Sequence, residues 1–243
     1  MITSKDNNLI KLCNQIKNKK YSREHNICLV ESYKLVHQLY DKKLLKSILV
    51  TESKYDLVSK FANIRIDVIA DNIASYLSDA TNSDGVFAVC NIPQTSSNNF
   101  SKAIILDNIQ DPANIGAIIR SAYAFGYDTI FAINSVYPYS YKTIRSSMGY
   151  IFDVNYIDIT YEELFDLKQE HNITFVSADM NGENIDSFSN PAGKFAVIIG
   201  NEGQGISDKL IQASDRIVSI PMSNGVESLN ASVSAGILMY LLK

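Results

Sequence analysis

Three separated segments in the C-terminal part of the chain gather the residues that could act on a substrate. The first, LDNIQDPANIGAIIRSAYAFG from Leu106 to Gly126, passes from an apolar run through a tight polar loop into an amphipathic helix. Pro112 and Gly116 shape the turn and Asn114 can cap the helix, all ordinary turn and cap chemistry. Arg120 is not covered by that account. Set among Ile115, Ala117, Ile118, Ile119, Ala122 and Ala124, it is expected to point into a polar site, the alternative being a structural ion pair. The second segment, FAVIIGNEGQGIS from Phe195 to Ser207, breaks from a buried strand into a loop where Gly200, Gly203 and Gly205 permit close backbone approach by a ligand. Neither GxGxxG nor GK[ST] is present, so a dinucleotide or P-loop reading fails. Glu202 would be an odd neighbour for a phosphate but suits an arginine or an amine. The third segment, IPMSNGVESLNASVSAGILMYLL from Ile220 to Leu242, leaves a strand at Pro221 and re-enters a helix near Ser228, Leu229 and Asn230. Alone, Glu227 and Ser228 read as helix-start residues, and Ala231, Ser232, Ser234, Ala235 and Gly236 as a packing seam.

The apolar pattern supplies the scaffold that must position these segments. Pro93 to Ser101, PQTSSNNFS, is polar and without apolar period, and reads as a linker over 93–101 between a unit at 1–92 and another at 102–243. Before it, the pattern predicts helices near 6–18, 32–40, 53–62 and 71–77 and strands at 27–30, 47–50, 64–69 and 86–90, a compact alternating α/β unit. After it, strands at 102–106, 129–133, 153–156, 173–178, 195–199 and 217–220 alternate with helices at 115–125, 161–170, 208–213 and 231–242. Short continuous apolar strands between helices imply a mostly parallel sheet covered on both faces, with ligands at the strand ends.

Of the 243 residues, 46% are hydrophobic and 20% charged, as in an ordinary globular protein, which excludes disordered and fibrous classes. Cys13, Cys28 and Cys90 are far apart in sequence and in no CxxC spacing, so neither a disulfide framework nor a zinc site is expected and a reducing cytoplasm fits. His25, His37 and His171 are scattered without ligand partners, so no metal is expected. The N-terminus MITSKDNNLIK lacks the apolar core of a secretory signal, and no apolar run approaches the roughly 18 residues of a membrane span. The formal charge of −4 argues against a nucleic-acid partner, but its distribution argues for one. Residues 1–54 hold 11 Lys and Arg against 5 Asp and Glu, whereas the other 189 hold 11 against 21. Clustered cations on an acidic body suit electrostatic docking; Lys17, Lys19, Lys20 and Arg23 could equally solvate a helix end.

Taken in order, N-x-G-x-x-x-R at Asn114–Arg120, G-N-E-G-x-G at Gly200–Gly205 and I-P-M…E-S-L-N at Ile220–Asn230 resemble the motifs of the SpoU/TrmH family of RNA ribose 2′-O-methyltransferases within the SPOUT superfamily, across essentially residues 102–243. Two further segments are similar to the substrate-binding domain often attached to that family: CLVES at Cys28–Ser32, with Ser32 where a glycine is usual, and DGVFAVCNIP at Asp84–Pro93. The resemblance implies a C-terminal parallel-sheet α/β domain with a deep trefoil knot, plus a smaller N-terminal α/β substrate-binding domain. It implies S-adenosylmethionine held by the backbones at Gly200, Ile220 and Leu229, and a polar catalytic set of Asn114, Arg120, Glu202, Ser228 and Asn230. The implied reaction is methylation of a ribose 2′-oxygen in RNA, rRNA being favoured over tRNA, by a homodimer joined through the C-terminal domain. RNA capture would fall to the basic N-terminal domain, with the Tyr137, Tyr139 and Tyr141 loop either stacking on unpaired bases or serving surface and dimer packing. Because an arginine is a poor proton acceptor, Arg120 is assigned mainly to phosphate or oxyanion binding. The alternatives are a related transferase acting on a base, a tRNA ribose methyltransferase, and a non-catalytic RNA-binding ribosome-assembly factor.

Overall fold

The computed structural model describes residues 1–96, 100–223 and 228–243; Glu227 and positions 97–99 of the expected linker lie outside the described residues. Two compact units emerge, one of residues 1–94 with 139–149, the other of 95–138 with 150–243.

The first unit opens with α1 (Asn8–Ile16), inside the helix expected at 6–18, and continues with α2 (Lys19–His25), a second helix beyond that expectation. Asn18 divides them: its side chain accepts from the Lys20 backbone N–H at 2.9 Å and so starts a new helix. Then follow β1 (Ile27–Glu31), α3 (Tyr33–Asp41), β2 (Leu45–Thr51), α4 (Tyr55–Val58), β3 (Arg65–Ile69), α5 (Asp71–Leu77) and β4 (Val86–Asn91). The sheet order is β1-β4-β2-β3, with β4 antiparallel to both neighbours and β2 parallel to β3. Ile10, Cys13, Leu49, Ile69, Ile73, Leu77 and Phe87 fill the core between this sheet and its helices. All three cysteines are free and buried, and burial pushes the Cys28 and Cys90 thiols up. Far apart in sequence, Cys28 and Cys90 are cross-strand partners of β1 and β4.

The second unit holds β5 (Lys102–Asp107), α6 (Pro112–Phe125) and β6 (Thr129–Ile133); the short α7 (Tyr141–Ser146), capped by Ser140, packs instead on β1 in the first unit. The second unit resumes with β7 (Asn155–Asp158), α8 (Tyr161–His171), β8 (Thr174–Asn184), β9 (Phe195–Gly200), α9 (Asp208–Ala213), β10 (Arg216–Ser219) and α10 (Ala231–Leu241). The order is β10-β8-β9-β5-β6-β7 and every pair is parallel, as the uninterrupted apolar strands predict. β8 runs well beyond the expected 173–178 because its pairing with β10 is broken in the middle. Consecutive Ile217 and Val218 pair with Ser177 and Glu183, so Ala178 to Gly182 leave the ladder as an excursion at the end of the sheet. Gly182 returns the strand so close to Val218 that a Cβ there would collide with the Val218 backbone.

Candidate active site

The central strand β5 ends on Asp107, which is only 2% exposed. Its carboxylate accepts from the Tyr161 hydroxyl at 2.8 Å and from the Ser207 backbone N–H at 2.7 Å, fixing the loops that leave the sheet. Burial, reinforced by Asp107, pushes the Tyr161 phenol up. The chain then turns at Asn108, in the left-handed region at φ 58°, and enters α6. Asp111 caps that helix, accepting from Ala113 N at 2.9 Å, with Pro112 in the first turn. The expected cap, Asn114, is therefore free for another task. It sits inside the helix, 8% exposed, donates through Nδ2 to Glu202 Oε1, and accepts at Oδ1 from Asn230 Nδ2 at 2.9 Å.

Glu202 is presented by a loop that closes on itself. Asn201 and Gly205 exchange backbone hydrogen bonds of 3.0 and 2.8 Å, and Asn201 Oδ1 accepts from the Gly203 and Gln204 N–H groups. Gly205 adopts φ 70°, and a Cβ on Gly200 would overlap the Gly205 carbonyl. Both glycines are thus required by the loop's own closure, not only by the approach of a ligand. Asn201 Nδ2 also donates to the Asn108 carbonyl at 2.9 Å, lacing the first motif to the second. Asn230, rather than Ser228, caps α10: its Oδ1 accepts from Ser232 N at 2.9 Å and from Ser232 Oγ at 2.6 Å, which leaves Nδ2 for Asn114.

An Asn230–Asn114–Glu202 relay therefore joins three segments distant in sequence. Beside it opens a cavity of about 420 Å³, lined by Gly200, Glu202, Ile220, Ser228 and Leu229, with Ala178, Asp179 and Met180 of the β8 excursion forming another wall. The sequence alone did not single out Asp107, Asn201 or Asp179. Asp107 stands as a polar residue at the end of the apolar run AIIL, a signal visible in the sequence, whereas Asp179 lies just past the strand expected at 173–178 with no pattern to mark it. Arg120 departs from expectation. It lies on the exposed side of α6, and its side chain makes no hydrogen bond or ion pair among the described residues. Six residues at about 100° each set it well around the helix from Asn114. Among the described residues no His, Cys, Asp or Glu cluster could hold a metal ion.

The model of the SpoU rRNA Methylase family matches residues 101–240. Over 245 aligned residues, 100% of this chain and 98% of the relative, the chain is 28% identical to the 23S rRNA (guanosine(2553)-2'-O)-methyltransferase RlmP of Bacillus subtilis. It is 37% identical over 139 residues to the 23S rRNA (guanosine-2'-O-)-methyltransferase RlmB of Neisseria meningitidis, covering 56% of this chain and 55% of that one. The AdoMet-bound rRNA methyltransferase from Sinorhizobium meliloti shares the fold, with a TM-score of 0.89 at 21% identity over 99% of this chain and 96% of that one. The family match spans more than half of the 243 residues and takes in all three motifs: the chain belongs to the SpoU rRNA methylase family.

Proposed function

We propose that the chain is an enzyme that transfers a methyl group from S-adenosylmethionine to a ribose 2′-oxygen of structured RNA, with 23S rRNA as the substrate favoured over tRNA. The observation that carries this reading is the Asn230–Asn114–Glu202 relay, which assembles the three motifs beside one cavity. A non-catalytic relative would have no need to keep this polar set intact. The preference for ribosomal RNA rests on the relative matched along its whole length, which is named for 23S rRNA. With that substrate the site of action is the cytoplasm.

The cavity suits the cofactor. Ile199, Ile220, Leu229 and Met222 offer apolar surface to an adenosine, and the backbones at Gly200, Ile220 and Leu229 would hold its polar edge. Asp179 Oδ1 accepts from Asn181, while Oδ2 makes no hydrogen bond among the described residues and can accept from a ribose diol. When bound, the cofactor supplies a sulfonium methyl and departs as a neutral thioether. The 2′-oxygen would take the methyl and release its proton to solvent water, so the protein must orient that hydroxyl and stabilise the negative charge that develops on its oxygen. Glu202, held by Asn114, and Ser228, on the cavity wall, orient the reacting groups, and Arg120 binds phosphate or the developing oxyanion. The reading includes the family's trefoil knot; its support is that the 200–206 loop and the segment leading to Asn230 wall the same cavity.

It also includes a homodimer through the α6–α10 face. Helix α10 carries no charged residue, and its Val233 and Tyr240 are 49% and 52% exposed. Burying that face covers apolar surface and gives Arg120, exposed on the adjoining helix, its protein surroundings. The test is transfer of labelled methyl to rRNA from cells lacking the gene, with the modified ribose mapped by its resistance to alkaline cleavage. Arg120→Ala should abolish transfer while cofactor affinity by calorimetry stays within about twofold; activity within a few-fold of the parent would reject its assignment.

A further inference from the structure

A second cavity, of about 320 Å³, lies wholly in the first unit, between β1, α3, the segment 80–84 and α7. That volume falls at the lower end of the range for small-ligand sites. Its walls are apolar where Leu29, Leu35, Ile144 and Met148 meet, and Tyr141 adds a ring whose centroid lies 5.5 Å from Lys17 Nζ.

The charged groups around it are unevenly used. Glu31 is engaged within the protein, accepting from Ser83 Oγ and Asp84 N at Oε1 and from Ser78 Oγ at Oε2. Asp84 accepts from the Tyr33 N–H at 2.7 Å. The two cations, Lys34 and Arg145, are exposed, and their side chains make no hydrogen bond or ion pair among the described residues. An apolar cleft is thus rimmed by two uncommitted positive charges.

Two lining residues also hold backbone conformations that L side chains avoid: Ser32 at φ 122° and Met148 at φ 51°. Met148 stands where α7 ends, with its N–H on the Arg145 carbonyl and the Gly149 N–H on that of Ile144, a termination that favours glycine. Gly149 is held by packing, since a Cβ there would overlap Leu35. Met148 has no such reason: it is 48% exposed and gains little burial for its strain. Strain retained without packing return points to a ligand site.

We propose that this cavity takes one unstacked nucleotide of the RNA substrate, with its base against Met148, Leu35 and Tyr141 and its phosphate on Lys34 and Arg145. Single-stranded RNA is recognised in this way, by capture of splayed bases on apolar and aromatic side chains with cations on the backbone. Methionine suits a base whose identity varies, being polarisable and adaptable. The proposal rests on RNA as the substrate and adds an anchoring site apart from the methyl-transfer cavity.

The test uses the full chain and a fluorescein-labelled, mixed-sequence 15-nucleotide single-stranded RNA, followed by fluorescence anisotropy over a salt series. Lys34→Ala with Arg145→Ala should weaken binding at least tenfold and flatten the dependence of log K on log salt by about 0.7 for each phosphate no longer neutralised. Met148→Gly should weaken binding severalfold with the salt slope unchanged and the melting temperature equal or higher, a combination that misfolding cannot produce. Wild-type affinity and slope in the double variant would overturn the proposal, as would displacement of the RNA by 5′-mononucleotides as effective, per nucleotide, as unlabelled RNA. Methyl transfer to rRNA by the wild type separates the two readings. If transfer occurs and the variants bind normally, only the pocket is wrong; if binding is lost as described but no RNA is methylated, the catalytic reading is the one that fails.

Discussion

Asn114 commits both ends of its amide inside the protein, the nitrogen to Glu202 and the oxygen to Asn230. Asn114→Ala therefore removes the shared partner of Glu202 and Asn230, both exposed enough to turn to water instead, a loss of about 1 kcal/mol. Urea titration should register that loss and initial rates of methyl transfer should fall roughly a hundredfold; a variant that keeps near-parental rates would show that the relay is ornamental. Ser32 invites the opposite change. At φ 122° it carries strain of about 1–3 kcal/mol, against the few tenths that replacing a serine cap by glycine costs. Its Oγ accepts from Leu35 N at a long 3.3 Å. Ser32→Gly should stabilise the chain by about 1 kcal/mol in thermal melts, and a lower melting temperature would contradict the strain argument. Residue types were legible in the sequence, but their tasks only partly. Asp111 and Asn114 are both cap formers three residues apart, and only the position of the helix start assigns the cap to one and the site to the other.

At the scale of elements, α8 shows a complete signal in sequence: Thr160 and Glu163 form a reciprocal capping box, with Thr160 N and Oγ on the Glu163 carboxylate and the Glu163 N–H on Thr160 Oγ. The Thr160 N–H, then its hydroxyl, hold the Glu163 carboxyl below the usual range. A carboxyl depressed in the folded state contributes stability in full above its unfolded value of about 4.3 and loses it as pH falls through the folded value. Urea midpoints measured from about pH 6 down to pH 3 should thus drop more for the parent than for Glu163→Gln, where equal slopes would count against the box. The strands were legible because two covered faces require unbroken apolar runs. Three features were not. The helix α2 that Asn18 caps lies beyond the expected 6–18 and, like α7, is too short to show a period, and the β8 excursion is set by pairing with β10.

For the whole molecule, the charge asymmetry is real but partly spent locally, since Lys17 pairs with Asp79 at 2.7 Å and Lys20 approaches Glu24 at 3.9 Å. The tyrosine loop divides in the same way. Tyr137 and Tyr139 are buried, which removes them as stacking platforms, while Tyr141 lines the first unit's cavity. The chain's bipartite organisation was legible from the polar stretch at 93–101, but the inclusion of 139–149 in the first unit was not, because it depends on tertiary packing rather than composition. The dimer reading belongs at this scale: sedimentation at micromolar concentration should give twice the 27.1 kDa chain mass. Val233→Glu with Tyr240→Glu should return a monomer without unfolding it, and a wild-type monomer would refute the interface. Finally, the β8 excursion walls the cavity proposed for the cofactor with residues outside the sheet's ladder. Ala178 to Gly182 lie outside the pairing with β10, which resumes at Glu183 beside the Gly182 return. That wall can be recontoured without re-registering a strand, which makes residues 178–181 the natural place to engineer acceptance of enlarged alkyl-donor analogues.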